Sequence, residues 1–461
     1  MLKKGSAKIM DYIETIVENA RKAQAEFEQY NQQQVDAVVK ALGKVIYDNA
    51  EMIAKEAVEE SGYGRVDSKI IKLKRCTLGA WHFLHDKPSV GMIAYDTVEN
   101  LATFAKPLGV VAALVPTTNP VSTVASNGMN ILKCRNAMIV SPHPRAKHVT
   151  KHGVDLINAE LKKLGAPENL IQVVEEPTLA YTQELMQLSD VVVATGGAAM
   201  VKSAYSSGRP SFGVGPGNVQ VVVDPEYHDF DKIVGNITTA RSYDNGMPCT
   251  GEQAIHVQKD QMEALLDAFA KAGAYVLPDD KAPELAKILF KENGMTDPSH
   301  VGMRPCKLAA LMGLTIPEDT SILLFRSLGM TRENLLRREK LCPVVQVFPF
   351  DTFEDGIANA KSNLEWEGKG HSAVVYTDDT KKAEYAGLHL PVSRVVVNQP
   401  GGAASGGNFI NGLHPTMSLG CGSWGNNSIS DNLTYQHLMN TTKLAYYHPS
   451  TLPSDEEVWA E

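Results

Sequence analysis

Cys249 stands in Tyr243-Asp244-Asn245-Gly246-Met247-Pro248-Cys249-Thr250-Gly251-Glu252-Gln253. Residues 230–242 read as a helix and 253–257 as a strand. The thiol therefore falls on a Gly/Pro-rich break between two regular elements, where functional side chains are presented. Backbone N–H groups beside a cysteine favour its thiolate, the nucleophilic form. The competing reading is a small, buried, inert residue at a turn.

Other groups of the right chemistry recur at strand ends. Pro116-Thr117-Thr118-Asn119-Pro120 follows an apolar run. The Asn119 amide could donate to a developing oxyanion, or the Asn-Pro pair could merely start a helix. Ser141-Pro142-His143-Pro144-Arg145-Ala146-Lys147 clusters His143, Arg145 and Lys147 where a nucleotide ribose or phosphate would lie; a solvated basic loop is the plain alternative. Thr195-Gly196-Gly197 opens a helix and offers close backbone approach and N–H groups to an anion. Gly213-Val214-Gly215-Pro216-Gly217 repeats that chemistry after a short strand. Glu339, before Lys340-Leu341-Cys342-Pro343, could accept from ribose hydroxyls or end a surface helix. His371, in Gly368-Lys369-Gly370-His371, reads as part of a flexible loop before a strand.

These residues need a scaffold, and the hydrophobic rhythm supplies one. Residues 9–61 are helical, with Met10, Ile13, Ile16, Val17 and Ala20 on one face and Val35, Val38, Val39, Leu42, Val45 and Ile46 on another. Residues 91–95 and 101–105 pair as a hairpin across 96–100. From Gly109 onward, continuous apolar strands (109–115, 136–141, 170–174, 190–194) alternate with helices, and helix 147–164 stops at Gly165-Ala166-Pro167. Strands apolar on both faces imply a parallel sheet covered on both sides, with ligands beyond the C-terminal strand ends. Residues 225–400 repeat the theme, with strands near 255–258, 322–325, 345–348, 373–376 and 394–398. The expected class is α/β.

Composition narrows the function. A chain of 461 residues supports two or three domains. A net charge of −9 argues against a nucleic-acid binder. The six cysteines show neither CxxC nor metal-ligand spacing, as reduced cytosolic thiols would, and no metal site is expected. No segment has a signal peptide's apolar core or a run of about 20 apolar residues, so no membrane span is expected and the cytoplasm is the expected location.

In this order the motifs resemble the aldehyde dehydrogenase superfamily along nearly the whole chain. They are Val115 to Pro120, Ser141 to Lys147, Ala194 to Gly197, Ala204-Tyr205-Ser206-Ser207-Gly208-Arg209-Pro210, Asp244-Asn245-Gly246 before Cys249, Gly370-His371, and Leu419-Gly420-Cys421-Gly422-Ser423-Trp424-Gly425. The resemblance is closest to the CoA-acylating branch, which includes acylating succinate-semialdehyde, acetaldehyde and propionaldehyde dehydrogenases. Segments 161–169 and 392–400 are nearest the succinate-semialdehyde enzymes.

The resemblance implies a Rossmann-type NAD(P)-binding domain over 1–224 with an oligomerisation hairpin near 91–106. A catalytic domain would span 225–400, with 401–461 returning to the cofactor domain and ending in an oligomerisation tail. It implies Cys249 as nucleophile, Asn119 with nearby backbone as oxyanion holder, and His371 assisting CoA or proton transfer. Thr117, Thr118, His143, Pro144, Arg145, Thr195, Gly196, Gly197, Val214, Gly215 and Glu339 would bind NAD or NADP, with Arg145 open to the 2′-phosphate of NADP. In the hydrolytic branch a glutamate activates water; the matching position here is Gly213. Without that base, water is a poor nucleophile, and the acyl group would pass to CoA. Succinate semialdehyde is the expected aldehyde, and Arg241, about one and a half helical turns before Cys249, is the candidate cation for its carboxylate. Other short aldehydes such as acetaldehyde, propionaldehyde or sulfoacetaldehyde, a CoA-independent enzyme, and a non-catalytic nucleotide-binding scaffold are the alternatives. The expected assembly is a homodimer or homotetramer. The Met1–Ala7 leader is shorter than a targeting helix of compartment-packaged relatives, so a free enzyme is expected.

Overall fold

The computed structural model describes residues 2–447 and 453–460, with side chains from Tyr12 onward except Ala198. The N-terminal helices are α1 (Leu2–Phe27), α2 (Gln32–Asp48), α3 (Ala50–Ser61) and α4 (Val66–Leu84). Ile13, Ile16, Val17 and Ala20 are buried as the periodicity requires, whereas Met10 and the leader lie outside the described side chains. Asn31 starts α2 with a reciprocal capping box to Gln34, and Gly62 ends α3 in the left-handed region. Helix α4 has no clean apolar periodicity to announce it in the sequence. It carries polar residues inside its buried stripe, Ser68, Lys69 and Thr77 beside Leu73, Ala80 and Leu84.

Strands β1 (Gly91–Asp96) and β2 (Leu101–Pro107) form the expected antiparallel hairpin. Then β3 (Val110–Val115), α5 (Pro120–Lys133), β4 (Ala137–Pro142), α6 (Lys147–Lys163), β5 (Ile171–Val173), α7 (Leu179–Leu188), β6 (Val191–Ala194), α8 (Ala198–Tyr205) and β7 (Ser211–Gly213) alternate. They build a five-stranded parallel sheet, order β5-β4-β3-β6-β7. β3, β4 and β6 are buried along their whole lengths, so their sequences run apolar without alternation. The strand order reverses at β3, which puts the C-terminal ends of β3 and β6 side by side at a switch point, the usual place for a ligand in an open α/β sheet.

The chain crosses to a second sheet at β8 (Val219–Val223), ahead of residue 224. After α9 (Phe230–Ser242) come β9 (Glu252–Gln258), β10 (Tyr275–Val276), β11 (Leu323–Arg326), β12 (Val344–Phe350), β13 (Gly370–Tyr376) and β14 (Val392–Val397). These make a seven-stranded parallel sheet, order β10-β11-β12-β9-β8-β13-β14. The last strand, β15 (Met439–Ala445), returns to pair antiparallel with β2. The mixed α/β class with parallel sheets is thus as the rhythm required. No helix among the described residues is long and apolar enough to cross a membrane.

Candidate active site

The segment before Cys249 is bent hard. α9 ends at Ser242, and Asp244, Asn245 and Gly246 follow with φ of 50, 54 and 70°. Asp and Asn tolerate the left-handed region better than most residues. Gly246 has no substitute, because a Cβ there would lie 2.4 Å from the Cys342 carbonyl carbon. Three left-handed residues reverse the chain after α9 and present Cys249 just before β9, where it remains partly exposed. Gly217 closes the other side: a Cβ at 217 would sit 2.0 Å from the Cys249 carbonyl oxygen and 2.8 Å from Glu339 Oε1. The loop after β7, Cys249 and Glu339 therefore meet at one glycine.

Asp244 anchors the bend to the opposite lobe. Its side chain is 0% exposed, and Oδ2 accepts from Lys72 Nζ at 2.7 Å and from Lys69 Nζ at 3.3 Å. Oδ1 accepts from the Arg65 amide at 2.8 Å. Burial alone would push this carboxyl up; Lys72 and Lys69 outweigh it and hold it below the usual carboxylate range. Lys69 also donates to the Thr118 carbonyl at 3.1 Å, and Lys72 to Asn119 Oδ1 at 2.5 Å. Asn119 is the residue before α5 and spends no side-chain bond on capping it. Its Nδ2 has a long contact of 3.4 Å to Thr118 Oγ1. The partly exposed amide thus keeps a donor for a ligand.

Burial pushes the Cys249 thiol up to about 12, with Glu339 and Cys421 adding to the effect and Arg394 opposing it. Burial and then Glu367 raise Glu339 to about 8, against Arg241 and the Gly217 amide. Glu339 is 8% exposed, and its Oε1 is buried without a hydrogen-bond partner among the described residues. A buried carboxylate oxygen lacking a donor costs stability unless a ligand or water supplies one, and ribose hydroxyls are suitable donors.

The remaining dinucleotide candidates lie at the C-terminal ends of β3, β4, β6 and β7, as the fold requires. Thr117 is buried, while His143, Pro144 and Arg145 are exposed after β4. His143 Nδ1 accepts from the Arg145 amide at 3.1 Å, and Arg145 Nη1 donates to Tyr63 Oη at 3.1 Å. Burial, then Arg145, lowers the His143 pKa. Thr195 Oγ1 lies 2.7 Å from Ser418 Oγ. Ser418 gives its proton to Asn127 Oδ1 at 3.0 Å, so Thr195 must donate to Ser418. Gly197 precedes α8, no side chain caps that helix, and space around Gly197 is open. That terminus, with Gly196, fits a pyrophosphate. Val214 is buried, and a Cβ at Gly215 would lie 3.3 Å from Cys421 Sγ. The donor set and open helix end fit a dinucleotide.

Two expectations change. His371 does not lie in a loop but is the second residue of β13, 0% exposed. Its Nδ1 is 2.7 Å from Ser372 Oγ, its Nε2 has no partner among the described residues, and burial and Arg394 lower its pKa to about 3. The imidazole is neutral and a weak base. Arg241 is 0% exposed at the end of α9. Its Nη2 donates to Gln253 Oε1 at 3.0 Å and its Nε to the Val344 carbonyl at 3.3 Å. Helical spacing toward Cys249 fails because the helix stops at Ser242. The guanidinium ties α9 to the start of β9 and β12, and this geometry does not carry a substrate-binding role.

Three further residues, Lys69, Lys72 and Arg394, shape the site. Arg394 donates from Nη1 to Asn432 Oδ1 at 2.8 Å and from Nε to the His371 carbonyl at 3.2 Å, and also bonds the Gly420 carbonyl. It is the cation that favours the Cys249 thiolate. The available signal is a lysine, Lys69, on the same helical face as Leu73, Ala80 and Leu84.

The Aldehyde dehydrogenase family profile matches residues 4–285. The chain is 46% identical to the succinate-semialdehyde dehydrogenase (acetylating) of Clostridium kluyveri, over 97% of this chain and 98% of that one. The crystal structure of an acetylating aldehyde dehydrogenase from Geobacillus thermoglucosidasius superposes with a TM-score of 0.93 at 33% identity, covering 97% and 99% of the two chains. Propionaldehyde dehydrogenase from Rhodopseudomonas palustris, solved with bound CoA and an acylated cysteine, gives 0.83 at 27% identity, covering 94% and 97%.

Proposed function

The chain belongs to the aldehyde dehydrogenase family, and from that premise we propose that it is a CoA-acylating enzyme: aldehyde, CoA and NAD(P)+ give acyl-CoA and NAD(P)H, reversibly, with succinate semialdehyde as the aldehyde. The Cys249 sulfur attacks the carbonyl carbon, and the Asn119 Nδ2 amide donates to the oxygen as it becomes an oxyanion. Bound NAD(P)+ supplies the hydride acceptor. Loss of hydride from the carbon on Cys249 leaves a thioester, which the CoA thiol cleaves, returning the cysteine. Glu339 and the α8 terminus hold the ribose and pyrophosphate, with Thr117, Thr118, Thr195 and Val214 as lining and His143, Pro144 and Arg145 toward the adenosine end. Arg145 has no carboxylate partner among the described residues, which leaves it free for an NADP 2′-phosphate.

The observation that carries the acyl-transfer half is Gly213. A Cβ there would lie 2.5 Å from Val201 Cγ1 and 2.9 Å from Tyr205 Cε2, and its amide is already bonded to Tyr205 Oη at 2.9 Å. The position from which hydrolytic relatives activate water has neither a base nor space for one. A thioester held there waits for a thiol.

The test is nicotinamide reduction by purified protein with NAD or NADP and succinate semialdehyde, sulfoacetaldehyde, propionaldehyde or acetaldehyde, each with and without CoA. We expect strict CoA dependence and the highest kcat/KM with succinate semialdehyde. Equal turnover without CoA would overturn the acylating assignment, and a better neutral aldehyde would overturn the substrate.

Assembly and location belong to the same proposal. The β1-β2-β15 sheet leaves β15 as an edge strand and exposes Met92, Tyr95, Leu444 and Tyr447. Such an edge invites pairing, which supports a homodimer or homotetramer, and the six unpaired cysteines fit a reducing compartment such as the cytoplasm. The solution mass should be a multiple of 50.1 kDa; a monomer in light scattering at micromolar concentration would refute it.

A further inference from the structure

Lys72 projects from α4 into the gap between the two halves of the site, with its side chain 10% exposed. Its ammonium has three protons and no lone pair. One bond goes to Asp244 Oδ2 at 2.7 Å, five residues before the nucleophile, and another to Asn119 Oδ1 at 2.5 Å. The ring of Tyr243 lies beneath at 5.5 Å. Asp244 is in turn fixed by Lys69 and the Arg65 amide. The ammonium therefore has two anchors, and it faces the carbonyl end of a carboxamide whose other end is nearly unbonded.

Two consequences follow from this contact. An amide can be turned over about its terminal bond with little change in shape, and Asn side chains are held one way only by their partners. A cation that can only donate forces Oδ1 toward itself and Nδ2 away, toward the open side. A positive charge on Oδ1 also draws electron density from Nδ2 and makes its N–H a stronger donor, more so where water is excluded. From this geometry we infer that Lys72 is the positioning residue of the oxyanion hole, setting the orientation and strength of the Asn119 donor and linking it through Asp244 to the bend that carries Cys249. The role rests on Asn119 being the oxyanion donor, as proposed above.

A simpler role for Lys72, neutralising buried Asp244, predicts lost stability but no special relation to Asn119. The experiment that separates them is a double-mutant cycle on the single-turnover burst of NAD(P)H, using Lys72→Met, Asn119→Ala and the double variant, with melting temperatures recorded for each. Asn119→Ala should slow the burst by about 10²–10³-fold, the usual loss for one oxyanion donor. Lys72→Met should slow it at least tenfold with aldehyde KM changed less than threefold, and the double variant should be no slower than Asn119→Ala within threefold. Lys72→Arg, still a donor-only cation, should recover most of the rate. If the Met variant does not fold, the same cycle is run with Lys72→Gln, which keeps a donor for Asp244. A full multiplication of the two losses, or a Lys72→Met burst within threefold of the parent, overturns the inference while leaving Asn119 in place. An unchanged burst in Asn119→Ala removes the oxyanion reading and the inference with it.

Discussion

Replacing Cys249 by Ser is expected to lower CoA-dependent aldehyde oxidation by about 10⁴-fold or more, as losses of nucleophiles do elsewhere. Serine keeps the shape but is a far weaker nucleophile at its ordinary pKa, and among the described residues no base is hydrogen-bonded to the side chain at 249. Three of the other thiols are sealed off: Cys421 and Cys342 are 0% exposed and Cys134 1%. Cys421, although near, is boxed by Gly215, Gly370 and Gly425. Activity within tenfold of the parent would end the nucleophile assignment.

The resting state of that thiol gives the same prediction a second readout. With the thiol at about 12, about one molecule in 10⁴ carries a thiolate at pH 8. Alkylation of Cys249 by iodoacetamide, followed by peptide mapping, should climb with pH from 7 to 10 without a plateau. The sign for Glu339→Gln follows from the order of the two titrations. Below about 8 the Glu339 carboxyl is mostly protonated and exerts no charge on the thiol; above it the carboxylate opposes the thiolate. The variant should match the parent at pH 7 and react about fivefold faster at pH 9.5, the equivalent of about 1 kcal/mol between two charges. A plateau below pH 9 in the parent would contradict this electrostatic account.

The parts of the fold visible in the sequence were those that neighbours along the chain determine. β3 and β6 are buried on both faces, so their apolar runs announced a parallel sheet. α9 and the break after it were equally plain, and they placed Cys249 correctly at a turn. What lay hidden depends on partners far along the chain. β8 joins the second sheet because Val221 and Val222 pair with β9 and β13; nothing local at 218–219 marks the crossing. Lys69 and Lys72 look like solvated charges until Asp244, 175 and 172 residues away, arrives beside them. Arg241 was misjudged because counting helical turns assumed the helix ran on, when Asp244 and Asn245 are left-handed. Gly368 and Gly370 suggested mobility around His371, yet both are tight contacts: a Cβ at Gly370 would meet the Cys421 carbonyl oxygen at 1.9 Å.

The same reasoning about close approach yields the second large effect, at a residue that does no chemistry. Gly217→Ala is expected to lower kcat/KM by about 10²-fold. The added Cβ would fall 2.0 Å from the Cys249 carbonyl oxygen and 2.8 Å from its carbonyl carbon and from Glu339 Oε1. Two of these three atoms are backbone and cannot swing aside as a side-chain end would. Restoring van der Waals contact requires the peptide of Cys249 or the 214–218 loop to move by about 1 Å in a close-packed interior, and a displacement of that size at a reacting atom costs about 10²-fold. The clash with Glu339 adds a distinguishing mark, since KM for the nicotinamide cofactor should rise along with the fall in kcat. Gly215→Ala, two residues away on the same loop, is the matched control. Its Cβ would meet Cys421 Sγ at 3.3 Å, a contact a small side-chain shift relieves, so its loss should stay below about threefold. Equal losses at 215 and 217 would mean the loop tolerates no methyl anywhere, and the case for Gly217 as the seat of the nucleophile's backbone would fail. A Gly217→Ala enzyme within tenfold of the parent would show that Cys249 can move without penalty, contrary to the proposed site, in which the positions of Cys249 and Glu339 are fixed against Gly217.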